Sequence, residues 1–120
     1  MFPKCYTNRA MSRSLIGLLL RGVVDVLLLF IIGEFPVHGY EIAKELERRS
    51  AGYFHFTAST LYSALRRLES RGLVSSSWRL VARQKRRYYE LTEKGRQILA
   101  EELAQWQKFL GATERILDIQ

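Results

Sequence analysis

Apolar residues recur with helical spacing in four segments of the chain and with strand spacing in one. Residues 23–32 form an almost continuous apolar run, which predicts a buried helix. Pro36 ends this helix, because proline cannot continue it and pushes the preceding residue out of helical conformation. A second helix is predicted over residues 39–50. Its apolar stripe consists of Ile42, Ala43 and Leu46.

The third helical segment, in "TASTLYSALRRLESRGLV" (residues 57–74), has two contrasting faces. One face carries leucines at i, i+4 and i+7. The opposite face has no acidic group, and every side chain on it can donate a hydrogen bond. It consists of Ser59, Ser63, Arg66 and Ser70, with Tyr62 and Arg67 flanking them. Either Thr57 or Ser59 can cap the start, and Gly72 suits the left-handed position after the end.

A β-hairpin is predicted next. "LVSSSWRL" (residues 73–80) alternates with strand period, and "RRYYEL" (residues 86–91) predicts a second strand. The intervening "VARQK" can turn, which gives the hairpin a basic tip. We expect Trp78, Tyr88 and Tyr89 to pack in the core and along the strands.

The last segment is a long amphipathic helix. Thr92 caps it, and Glu93 lies in its first turn, near the positive end of the helix dipole. Apolar positions then recur at steps of 4, 3, 4, 3 and 4, which is a heptad pattern. The members are Leu99, Leu103, Trp106, Leu110, Thr113 and Leu117, widened by Ile98, Phe109 and Ile116.

Charge is distributed unevenly along the chain. The formal net charge is +7, but residues 93–120 hold five acidic and four basic side chains. The positive excess therefore belongs to residues 1–92, and residues 79–87 ("RLVARQKRR") contain five basic groups and no acidic one. Such a distribution points to a polyanionic partner.

The order of the predicted elements indicates which polyanion this charge could bind. Two short helices, the second rich in hydrogen-bond donors, form a helix-turn-helix, and the basic hairpin after them adds a wing. The second helix fits the major groove of DNA, while the wing can lie along the backbone or enter the minor groove. The predicted DNA contacts are Ser59, Thr60, Tyr62, Ser63, Arg66, Arg67, Lys85, Arg86 and Arg87.

Other classes of protein fit less well. Residues 14–33 are nearly long enough to span a bilayer, but Arg21 and Asp25 oppose this, and on a helix these two can pair with each other. The single cysteine, Cys5, makes no intrachain disulfide, so we expect a cytoplasmic protein with no membrane association.

The sequence also contains no evident set of catalytic residues. The two histidines, His38 and His55, have no evident third metal ligand, and no phosphate-cradling glycine loop is present. Glu101 and Glu102 are adjacent on a helix and therefore point about 100° apart. We expect neither an enzyme nor a metal or other cofactor.

The motifs, in their order, resemble the PadR family of transcriptional regulators, which are small winged-helix repressors. The matching pieces are "RGVVDVLLL", "HGYEIAKEL", "STLYSALRRLESRGLV", "RRYYELTEKGR" and "EELAQWQKF". The chain differs from the family pattern at Ser63, where many members have proline, and in the wing, where "ARQKRRYY" replaces a sequence such as "GRPRRYY". A single C-terminal helix is typical of the short subfamily.

The resemblance implies a fold that is mainly α with a small β-hairpin wing. We expect residues 14–92 to form a winged helix-turn-helix that binds DNA and residues 93–120 to form a C-terminal dimerisation helix. Residues 1–13 show no hydrophobic period, so we expect them to be a mobile N-terminal extension. Dimerisation is assigned to Leu99, Leu103, Trp106, Phe109, Leu110 and Leu117.

The implied function is that of a dimeric, ligand-responsive repressor bound to an inverted-repeat operator. In some short members flat aromatic or cationic drugs bind between tryptophans at the dimer centre, which makes Trp106 the candidate contact for a small aromatic effector. Packing in the dimer interface is the other role open to Trp106. An alternative function is a winged-helix dimer that recruits protein partners without binding DNA.

Overall fold

The computed structural model describes residues 15–118, with side chains from residue 22 onward. Four helices and three strands follow one another along this part of the chain. They are α1 (Leu15–Glu34), β1 (Val37–His38), α2 (Gly39–Arg49), α3 (Ala58–Ser70), β2 (Val74–Val81), β3 (Gln84–Leu91) and α4 (Glu93–Leu117). Residues 1–13, Cys5 and the Arg21 side chain lie outside the described part. The mainly helical fold with a small hairpin is confirmed.

Helix α1 lies at the centre of the core. Its side chains Leu28, Leu29 and Ile32 are almost completely buried, as the apolar run predicts, and the helix ends at Glu34, just before Pro36. Across residues 15–118, no helix combines the length and hydropathy needed to cross a membrane.

Helices α2 and α3 pack their apolar stripes against α1. Ile42 from α2 and Leu65 and Leu68 from α3 are completely buried, which confirms the helical periodicity read from the sequence. Burial of a leucine-sized side chain stabilises the fold by roughly 1.5–3 kcal/mol. The inner face of α3 is thereby fixed, and its polar face is left turned outward.

Local signals set the ends of α3. Thr57 is the N-cap residue, and its hydroxyl accepts a hydrogen bond from the Thr60 amide at 3.2 Å. Of the two candidate caps, Thr57 rather than Ser59 therefore has this role. Gly72 has a φ of 75°, the left-handed conformation expected after the helix.

The three strands form an antiparallel sheet in the order β1-β3-β2. Strand β1 was absent from the prediction: Val37 pairs with Tyr89 and His38 with Tyr88. The hairpin is longer than expected, because pairing continues to Val81 and Gln84 and leaves a two-residue turn. Ala82 and Arg83 both adopt positive φ in this turn, at 50° and 65°.

The prediction that Trp78 packs in the core is wrong. The Trp78 side chain is 62% exposed, because the hairpin extends beyond the body of the domain and the core ends before Trp78 is reached. Tyr89 is buried and Tyr88 half-buried, as predicted.

Helix α4 begins inside the domain and continues out of it. Thr92 caps it, as predicted, by accepting from the Gly95 amide at 3.0 Å. Gly95 lies close to the backbone that follows α3: a Cβ added at Gly95 would be 2.0 Å from the Leu73 carbonyl oxygen. Ile98 and Leu99 pack against the core, whereas Phe109, Leu110, Ile116 and Leu117 are exposed.

Candidate nucleic-acid interface

The outer face of α3 presents hydrogen-bond donors to solvent. Ser59, Tyr62, Ser63 and Arg66 are exposed and Thr60 is half-buried. Arg66 reaches Ser63 Oγ only through a long hydrogen bond of 3.5 Å. Its guanidinium group therefore stays available to an outside acceptor.

Tyr62 connects this face to the start of α2. Its ring and hydroxyl lie over Gly39, where an added Cβ would be only 2.8 Å from the Tyr62 Cε1 and hydroxyl oxygen. Glycine at position 39 is thus what allows the two helices to approach. Tyr62 is held beside the N-terminus of α2, at the edge of the exposed face.

Arg67 differs from Arg66 because it is engaged within the chain. Its guanidinium donates two hydrogen bonds to Asp25 of α1, one of them at 3.3 Å, and Arg71 approaches the same carboxylate at 3.9 Å. The hydrogen bond to Asp25 raises the pKa of Arg67. Asp25, which the sequence analysis paired with Arg21, thus joins α1 to α3.

The cationic wing lies beside α3 and is held there by polar contacts. Ser76 Oγ donates to Glu69 Oε2 at 2.7 Å and accepts from Arg87 Nε at 2.9 Å. Arg87 Nη2 is also 3.7 Å from Glu69 Oε2. This cluster of Glu69, Ser76 and Arg87 fixes the position of the hairpin relative to α3.

Arg86 and Arg87 lie on opposite faces of the wing, because side chains alternate along a strand. Arg87 shares a face with Lys85, which is exposed, and with the buried Tyr89. Arg86 is half-buried on the other face, where it donates to Gln84 at 3.3 Å. The predicted run of wing cations is therefore divided between two surfaces.

His38 belongs to this surface, although in the sequence it stood out only as a histidine without further metal ligands. Its Nε2 atom lies 3.1 Å from Arg86 Nη1 and 3.5 Å from Glu41 Oε1. An arginine guanidinium only donates, so His38 Nε2 must be the acceptor in this contact. The Tyr88 ring packs edge-on against His38 at 5.6 Å between centroids. The pairing of β1 with β3, which the sequence did not reveal, creates this site.

The C-terminal helix carries the second surface of interest. Leu99, Leu103 and Trp106 are half-buried, and beyond them Leu110 and Leu117 are exposed. Between α1 and α4 lies a groove of about 290 Å³, lined by Phe30, Leu91, Leu99 and Leu103 among others. Exposed apolar side chains gathered along one side of a helix are typical of an interaction surface.

Metal binding has no support in the described part of the chain. No group of three or more potential ligands is close enough to hold an ion there. His55 instead pairs with Glu47 at 2.6 Å.

The fold and this surface define a winged helix-turn-helix DNA-binding protein. The family model "Transcriptional regulator PadR-like family" matches residues 28–101. The chain therefore belongs to the PadR-like family of transcriptional regulators, whose members are DNA-binding proteins and not enzymes.

Individual relatives agree with this assignment. The transcriptional regulator Rv3488 of Mycobacterium tuberculosis is 35% identical over 82 residues, which cover 68% of this chain and 74% of that protein. The structure of a PadR-family regulator from Eggerthella lenta is 32% identical, with a TM-score of 0.73 over 93% of this chain and 96% of that one. A PadR-like regulator from Bacillus cereus gives a TM-score of 0.76 at 25% identity, over 86% and 99%.

Proposed function

We propose that this transcriptional regulator is a homodimeric, cytoplasmic repressor that binds an inverted-repeat operator and releases it when a small aromatic ligand binds. The observation that carries the DNA-binding part is the exposed donor face of α3 beside a cationic wing. The Glu69–Ser76–Arg87 cluster supports a fixed geometry for these two elements. A surface of this kind can read bases and hold phosphates together.

The roles of the α3 side chains follow from their chemistry. Arg66 can donate two hydrogen bonds to guanine O6 and N7, while Ser59, Thr60 and Ser63 suit phosphates or any base edge. Tyr62 lies at the edge of the face and suits the DNA backbone. Arg67 is proposed to contribute less than Arg66, because Asp25 already neutralises its charge.

The wing contributes affinity more than sequence preference. Lys85, Arg86 and Arg87 would neutralise phosphates and release counterions, which makes binding depend on salt. Arg86 would do so from the opposite face of the hairpin to the other two.

Dimerisation is proposed to occur through α4. Phe109, Leu110 and Leu117 are exposed on its heptad face, and burial between two copies would remove this apolar surface from water. Leu99, Leu103 and Trp106 extend the same strip towards the domain. A two-fold dimer would place two α3 helices roughly one duplex turn, about 34 Å, apart, which demands an inverted repeat.

The effector site is proposed at the same interface. Trp106 is half-buried on α4, one turn beyond Leu103, which lines the groove between α1 and α4. A second copy would bring a second Trp106 near the two-fold axis, and two indole rings can hold a flat aromatic molecule. Packing of Trp106 in the interface, without a ligand, is the competing role.

The central experiment selects duplexes from a random pool with the purified protein and measures binding of the selected sequence by fluorescence anisotropy. We expect an inverted repeat, tight binding at low salt and a linear loss of log affinity with log salt. A selected sequence without two-fold character would contradict the dimeric operator. A folded protein with no or salt-insensitive DNA binding would contradict the proposal as a whole.

Two substitutions separate base contacts from phosphate contacts. Arg66→Ala should weaken binding to the selected duplex by roughly 1–3 kcal/mol and leave random DNA nearly unaffected. Lys85→Ala should weaken both alike and flatten the salt slope by about 0.9. Lys108→Ala removes the same charge from α4 and is the matched control. Equal losses of Arg66→Ala on both duplexes would limit Arg66 to the phosphates.

The alternative, a protein-interaction module without DNA binding, predicts different behaviour in a lysate. Partners captured by the tagged protein would then persist after nuclease treatment. For a DNA-binding regulator, nuclease should remove most of the captured material.

A further inference from the structure

One face of the wing carries two large apolar side chains that the fold leaves uncovered. Trp78 is 62% exposed and Leu80 is 72% exposed, although both lie on the face of β2 that Val74 uses to enter the core. Beyond the edge of the core the same face continues into solvent.

This surface is turned towards α3. Ser76, which precedes Trp78 on the same face, donates its hydroxyl to Glu69 of α3 at 2.7 Å. A molecule that is bound to the outer face of α3 and extends along the wing would therefore contact Trp78 and Leu80.

Each apolar side chain is paired with a cation across the hairpin. Trp78 is opposite Arg87, whose guanidinium carbon is 5.4 Å from the centre of the indole ring, and Leu80 is opposite Lys85. Residues 79–87 add no acidic group. A binding partner that matches this surface therefore presents apolar groups and negative charges in alternation, a few ångströms apart.

We propose that Trp78 and Leu80 pack against deoxyribose rings in the wall of the minor groove next to the α3 site, while Arg87 and Lys85 bind the adjoining phosphates. This inference rests on the proposed DNA binding and adds a contact that is apolar. Sugars and phosphates alternate along a strand of DNA, which matches the alternation of the hairpin pairs. Apolar side chains of minor-groove proteins make use of the same chemistry.

Fluorescence reports on this contact directly. The chain has two tryptophans, so Trp106→Phe leaves Trp78 as the single indole. With the selected duplex bound at saturation, we expect a shift of Trp78 emission and a loss of its quenching by acrylamide. Unchanged emission and quenching in a complex that forms with normal affinity would overturn the proposal.

Substitution separates the apolar contact from the charges. Trp78→Ala and Leu80→Ala should each weaken binding, Trp78→Ala by about tenfold, since the larger side chain removes more apolar area. The salt slope should stay as in the unsubstituted protein, because no phosphate contact is lost. Phe35→Ala, which removes another exposed aromatic side chain outside the wing, is the control and should leave affinity unchanged. Thermal unfolding of each variant checks that the fold is retained.

The outcomes distinguish this inference from the proposed function. Unsubstituted protein that binds no duplex ends the proposed function. Normal binding by both Trp78→Ala and Leu80→Ala ends only the present inference. Nuclease-resistant capture of a protein that depends on Trp78, with Trp78 unprotected by DNA, would assign this surface to a protein partner instead and likewise overturn it.

Discussion

Carboxylates of α1 and α2 neutralise several arginines of the DNA-binding domain from within the chain. Asp25 binds Arg67, and Glu34 binds Arg49 at 2.6 Å. Arg66 and Lys85 have no such carboxylate partner among the ion pairs of residues 15–118. The outer face of α3 and the wing thus retain positive charge that is available to an outside polyanion.

Glu45 provides a pH test at this scale. The hydrogen bond from Arg48 lowers the pKa of Glu45 from its ordinary value of 4.5 to about 2, and the charges of Arg48 and Arg49 act in the same direction. A carboxyl whose pKa is lower in the folded state stabilises the fold above the ordinary value and loses this contribution as pH falls through the folded value. Glu45 should therefore favour folding at pH 5 and above, and progressively less from about 4.5 down to about 2.

The measurement compares the free energy of unfolding against pH for the unsubstituted protein and Glu45→Gln. The difference between the two should be largest above pH 5 and shrink towards pH 2. A constant difference across this range would show that Glu45 acts through packing and not through its charge.

The helices of the domain were predictable because their signals are local. The leucine spacing of α3, its glycine stop and the threonine cap of α4 are each set by residues only a few positions apart. Strand β1 was missed because two residues carry no periodicity, and only pairing with β3 defines them as a strand. Trp78 was wrongly predicted to be buried. The alternation of apolar and polar residues along a strand shows which side chains share a face, but it does not show where the core beneath that face ends.

The same distinction between local signals and long-range contacts applies to the candidate site. The donor face of α3 is visible in the sequence, and the structure leaves it exposed. The bond between Asp25 and Arg67 joins residues 42 positions apart, so no local pattern reveals it. The contact of His38 with Arg86 depends on sheet pairing over an even longer separation.

The packing of α4 on the end of α3 provides a prediction at the scale of elements. A Cβ at Gly95 would be 2.0 Å from the Leu73 carbonyl oxygen, which belongs to the backbone and cannot easily move. Gly95→Ala should therefore destabilise the domain by about 3 kcal/mol or more. Gly22→Ala is the control: its Cβ would meet nothing within 4 Å, and alanine should stabilise the helix by roughly 0.5–1 kcal/mol. Urea unfolding measures both, and equal midpoints would contradict the close contact.

The wing turn provides another prediction. Ala82 has a φ of 50°, and the left-handed conformation costs a residue other than glycine roughly 1–2 kcal/mol. Ala82→Gly should consequently raise the free energy of unfolding by about 1 kcal/mol, even though glycine usually destabilises. Ala112→Gly, in the exposed interior of α4, should lower it by about 1 kcal/mol. A loss of stability in both variants would show that the turn is not strained.

At the scale of the whole molecule, the domain and α4 have different surfaces. Positive charge belongs to the first three quarters of the chain, whereas the end of α4 exposes apolar side chains, including Ile116 at 83% and Phe109 at 65%. DNA binding and the proposed self-association should therefore be separable by substitution.

Sedimentation equilibrium tests the proposed dimer. Phe109→Asp places a charge in the apolar strip and should shift the protein from dimer to monomer, since burial of an unpaired charge is unfavourable. Lys108→Asp introduces the same carboxylate outside the heptad positions, about 100° around α4 from Phe109, and should leave the dimer intact. A lone protomer in the unsubstituted protein would exclude the dimer altogether.

The adjacent arginines of β3 give the wing an inherent asymmetry. Consecutive side chains of a strand point in opposite directions, so the dipeptide Arg86-Arg87 sends one guanidinium to each side of the hairpin. A hairpin inserted edgewise between two phosphate ridges would then face both of them with positive charge. The two ridges would not be held equally, because the two arginines have different partners within the chain. Arg86 contacts the His38 imidazole, whereas Arg87 contacts the Glu69 carboxylate and the Ser76 hydroxyl.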